Sequence, residues 1–144
     1  MKSYTDLEQS MNLAKILPLE SADMHYSNIC PKGVMYSNDF EAGMTSYKDA
    51  DKMNQENIDF YLRGTDYKGI IAWEIIPCWS LSALLEILKE ESLEFDDGDS
   101  VSLTTFIGKW HVNMFDCLIE QTSEHDNPVD ACVEAILKLH EQSI

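Results

Sequence analysis

The side chains best suited to chemistry are four cysteines, Cys30, Cys78, Cys117 and Cys132, and four histidines, His25, His111, His125 and His140. A cysteine nucleophile needs a base and an orienting group, which usually come from distant parts of a chain. Cys30 has His25 and Asp23 nearby in sequence and is the first candidate. Cys78, between Pro77 and Trp79 just ahead of an expected helix, is the second. Free amides at a helix start can lower a thiol pKa. Against both stands ordinary packing, because cysteine is among the most buried residue types and a buried thiol is inert. No catalytic residue is assigned.

A zinc site calls for three or four converging ligands. No two histidines lie four apart on an expected helix, and none sits at finger spacing from a cysteine. His125 and Asp126 are adjacent, but two side chains make no site. The acidic stretch Glu90–Asp99, EESLEFDDGD, invites a calcium loop. With Gly98 at the sixth loop position, the first and third ligand positions fall on Leu93 and Phe95, which offer no side-chain oxygen. A solvated acidic turn fits better. No metal or cofactor site is assigned. G-x-S-x-G, P-loop, G-x-G-x-x-G and H-E-x-x-H motifs are all absent, which weighs against an enzyme.

The stretch that must position everything else is IIAWEIIPCWSLSALLEILK, Ile70 to Lys89. Ile70 to Ile76 reads as a buried strand that Pro77 ends. Ser80 caps a helix whose apolar face is Leu81, Leu84, Leu85 and Leu88, with Trp79 stapled to Leu84. Before it, Thr5-x-x-Glu8 is a capping box opening a helix with the stripe Leu7, Met11, Ala14 and Leu17, widened by Leu13 and Ile16, which Pro18 ends. Residues 19–48 read as irregular, with Val34, Tyr36 and Phe40 marking at most a short edge strand. A connection that long raises the chance of function. Asp49 to Arg63 forms a second helix using Met53, Ile58, Tyr61 and Leu62, stopped by Gly64.

Beyond the central helix, Val101 to Ile107 alternates as a strand. Gly108-Lys109 makes a two-residue turn, and Trp110, Val112 and Met114 mark the return. A third strand spans Cys117 to Gln121. Asn127-Pro128 opens the last helix, with the stripe Val129, Cys132, Val133, Ile136 and Leu139 and a Glu134–Lys138 pair. The expectation is a single α+β domain over residues 1–144. It holds an antiparallel sheet of three to five strands with helices mainly on one face, and a β-α-β-β-β-α C-terminal portion. Its last five elements share the topology of double-stranded-RNA-binding domains. Phosphate recognition needs basic side chains. The last helix offers only Lys138 against Asp130, Glu134 and Glu141.

The chain has 144 residues and a net charge of −16. At that length folding buries roughly 70% of the unfolded surface, so no disulfide staple is required. Residues 73–144 carry 3 Lys+Arg against 15 Asp+Glu, while residues 1–72 carry 7 against 11. Such a second half repels nucleic acid and anionic membranes. The plain reading is solubility; the sharper one is attraction of a basic partner. Tyr26, Tyr36, Tyr47, Tyr61 and Tyr67 would form a protein-binding patch if gathered on the surface, and core with polar tips if buried. No apolar run reaches the 18 residues of a spanning helix. The first twenty residues have no continuous apolar segment, so no secretory signal is expected there. Reduced thiols and a cytoplasmic location follow as expectations.

Three phrases, SADMHYSNICPKGVMYS, IPCWSLSALLEIL and NPVDACVEAILKL, resemble a group of small, uncharacterised proteins carried by phages and other mobile elements of gut bacteria. The resemblance implies a bacterial or phage setting and brings no activity or functional residue with it. The favoured function is a non-enzymatic protein–protein interaction module, in its specific form an acidic mimic that binds a basic partner. The alternative is a small-molecule-binding or hydrolytic protein that uses segment 19–48.

Overall fold

The computed structural model describes residues 2–30, 40–63, 71–93, 101–106, 109–114 and 125–142. The fold class is α+β with an antiparallel three-stranded sheet, as expected. The chain divides into two compact units, Ser10–Cys78 and a discontinuous one made of Met1–Gln9 with Trp79–Ile144. Where sequence suggests one domain over residues 1–144, the description below therefore takes the units one at a time.

The Ser10–Cys78 unit is built on β1 (Met24–Cys30), β2 (Glu41–Gly43) and β3 (Ile71–Cys78), in the order β2-β1-β3. β1 is the central strand, and this corrects the reading of 19–48 as irregular. Its sequence, MHYSNIC, does alternate. Met24, Tyr26 and Asn28 are buried, while His25 and Ser27 between them are half-buried. The pattern is hidden because one inward position is an asparagine. Tyr26 pairs with Ile76 and Met24 with Cys78, so these side chains share one buried face. Helix α2 (Tyr47–Leu62) lies against β3 and β1. It starts two residues before the expected Asp49, and Ser46 Oγ accepts the Asp49 N–H at 3.3 Å as its cap. Ala50 and Asn54 form its buried side, while Met53 and Leu62, expected inside, are exposed.

Pro77 does not end the strand. It pairs with His25, and β3 runs on to Cys78. β3 has a single neighbour among the described residues, and an edge strand tolerates a residue with no N–H to give. The register slips once: Ser27 faces Ile75 but Ile29 faces Ala72. Trp73 and Glu74 therefore oppose Asn28 alone, which is a β-bulge. The Glu74 N–H donates to Asn28 Oδ1 at 2.7 Å. A buried side chain thus takes up an amide that the interrupted ladder does not pair.

The second unit is held by α3 (Leu81–Leu93), the hairpin β4 (Val101–Phe106) with β5 (Lys109–Met114), and α4 (Pro128–Gln142). Ser80 caps α3 as expected, accepting the Ala83 N–H at 3.2 Å. Trp79, Leu84 and Leu88 are fully buried. Ile87 rather than Leu85 completes that face, since Leu85 is exposed. The hairpin pairs Phe106 with Lys109, so Lys109 belongs to the returning strand and not to the turn. β4 and β5 form a two-stranded sheet of their own. The expected third strand at 117–121 lies outside the described residues, as do Val34, Tyr36, Gly64 and most of the acidic turn after Leu93.

α4 packs on α3 and on β5. All five expected apolar positions, Val129, Cys132, Val133, Ile136 and Leu139, are buried, joined by Ala131 and Ala135. Asn127 caps it, its Oδ1 accepting the Asp130 N–H at 2.9 Å. Across the start of α3 runs the segment Lys2–Asp6. The Thr5 N–H donates to the Trp79 carbonyl and the Leu81 N–H to the Ser3 carbonyl, both at 2.9 Å. This moves the first cap by one residue. The Thr5 hydroxyl accepts the Trp79 N–H at 3.1 Å and is buried. The capping box is instead Asp6 with Gln9, and α1 spans Leu7–Leu13, well short of Pro18. Ser10 and Leu13 are its buried residues, and Met11 is exposed. No described helix is long and apolar enough to cross a membrane.

Candidate functional site

His25 stands on β1 opposite Gly43 of β2. Its Nδ1 lies 2.7 Å from the Thr45 carbonyl oxygen. A carbonyl can only accept, so Nδ1 is the donor in this bond. The ring rests over Gly43, where a Cβ would come within 2.5 Å of Cε1. Glycine is what lets the imidazole lie there. A histidine with one nitrogen tied to a carbonyl is oriented as bases and metal ligands are. It is equally what covers a glycine on an edge strand.

Cys30 is set apart from His25 along the backbone of β1. Cys30 lies five residues along the same strand, which sets the two backbones about 17 Å apart. A nucleophile and its base must be within hydrogen-bond reach. Cys78 is the last residue of β3, not the entry to a helix, and it is fully buried. Cys132 is buried on α4, and burial pushes its thiol up to about 12. Neither buried cysteine is placed to react. Tyr26 is buried and Tyr47 half-buried, while the side chains of Tyr36, Tyr61 and Tyr67 lie outside what is described, so the described residues gather no tyrosine patch.

His125, next to Asp126, makes an isolated bridge to β5. It exchanges two backbone hydrogen bonds with Trp110 of β5, at 2.7 and 2.8 Å. Its Nε2 lies 3.3 Å from Glu134 Oε1, and Glu134 Oε2 lies 3.4 Å from Lys138 Nζ. The Glu134–Lys138 pair was legible from its spacing; the histidine at its other oxygen was not, because the link runs from a loop to a helix. His140 is exposed near the end of α4, and the His111 side chain is not among those described. No three His, Cys, Asp or Glu side chains among the described residues gather as a metal would need.

The densest charged cluster among the described residues surrounds Asp130. Its Oδ1 accepts from Lys2 Nζ at 2.7 Å and Gln9 Nε2 at 2.8 Å, and its Oδ2 accepts from Asn127 Nδ2 at 2.7 Å. Lys2 also reaches Asp6 at 2.9 Å. Partial burial works to raise the Asp130 carboxyl, but hydrogen bonds from Lys2, Gln9 and Asn127 outweigh it and hold the group below the usual range. Burial likewise pulls Lys2 down, and Asp130 and Asp6 more than reverse it. Nothing in the sequence separation of Lys2 and Asp130 announced this cluster. Its donors and acceptors satisfy one another, so it joins two parts of a fold and leaves no open chemistry.

Charge is distributed unevenly between the units. The one made of Met1–Gln9 and Trp79–Ile144 carries four Lys+Arg against sixteen Asp+Glu, a net of −12; Ser10–Cys78 carries six against ten, a net of −4. Lys2 and Lys138 of the acidic unit are already in ion pairs. No protein-family model, curated protein or solved structure matches the chain.

Proposed function

We propose that this chain is a non-enzymatic interaction module that binds another protein, a basic one, through its acidic unit. The setting proposed with it is the cytoplasm of a bacterium, on a phage or other mobile element. The observation that carries the reading is the net of −12 on a unit in which carboxylates hold Lys2 and Lys138. Such a surface repels nucleic acid and speeds encounter with a positively charged partner. Capture of partners from a bacterial host lysate, at about 50 mM and about 500 mM salt, tests it, because exposed charges are screened over a few ångströms at the higher value. A basic protein recovered at low salt and lost at high salt supports the proposal. Recovery of the same partner at both, or of a metabolite alone, overturns it.

The second reading, small-molecule binding or hydrolysis in segment 19–48, has one specific observation in its favour: the His25 ring held over Gly43 by its bond to the Thr45 carbonyl. His25→Ala and Cys30→Ala variants separate the two. Both should leave capture of a basic partner intact, whereas a His25-dependent activity would favour the second reading.

A further inference from the structure

We draw no further inference here: the strongest candidate, the face of the three-stranded sheet where His25 is held over Gly43, carries nothing because the ring's described hydrogen bond goes to the Thr45 backbone and no set of ligating side chains forms among the described residues.

Discussion

Asn28 and Thr5 are buried polar side chains, and each takes a main-chain N–H from a residue far along the chain. Removing such an acceptor leaves a donor dry, which costs about 1–3 kcal/mol. Asn28→Ala should therefore lower the unfolding free energy by that much, read as a lower urea midpoint with an unchanged slope, and Thr5→Val should do the same through the Trp79 N–H. Asp130 adds a pH dependence. Its carboxyl, like that of Asp6, is held below the ordinary 3.8, so its contribution is present above that value and is lost as pH falls through the lower folded one. Lys2 is raised above 10.5, so its contribution is present below 10.5 and is lost as pH rises through the higher folded value. Between these limits the cluster's contribution is flat. Asp130→Asn should cost about 1 kcal/mol at neutral pH and reduce the loss of stability below pH 4, read by chemical denaturation across pH 2–7.

Helices and strands here were legible where local and distant requirements agree. Ser80 and Asn127 sit directly before apolar stripes, and both cap as their sequence implies. Thr5-x-x-Glu8 and Asp6-x-x-Gln9 are both sound capping boxes. The choice falls on the second because Trp79, 74 positions away, claims the Thr5 hydroxyl. β1 was missed because its buried Asn28 is satisfied by Glu74, 46 positions away. Pro77 misled because its effect depends on whether the strand has one neighbour or two. His25 was named from its neighbours in sequence, but the glycine beneath it comes from another strand. The helical face of α3 can be tested by size. Leu84→Ala and Leu88→Ala should each cost about 2–5 kcal/mol, and exposed Leu85→Ala well under that. At the β1–β2 pair, Gly43→Ala should displace the His25 ring and break its bond to Thr45. The same change in a His25→Ala background should cost less, since the clash is gone. Additive losses in a double-mutant cycle would contradict that packing.

Taken through the whole molecule, the chain leaves one unit at Gln9 and returns to it at Trp79. A unit assembled from two distant pieces is complete only when the first piece docks. Here the docking is specific: main-chain bonds from Thr5 to Trp79 and from Leu81 to Ser3, the Thr5 hydroxyl on the Trp79 amide, and the ion pair of Lys2 with Asp130. Each such bond contributes about 0.5–1.5 kcal/mol net. Ordering the segment opposes that gain, and the net is what docking contributes. Two fragments isolate this quantity: residues 79–144 alone, and residues 1–9 joined to 79–144 through a short Gly/Ser linker. Because a tether makes docking intramolecular, the linked fragment should unfold at a higher urea concentration. Thr5→Ala should erase most of the difference. Equal midpoints for the two fragments would show that the first nine residues do not belong to this unit.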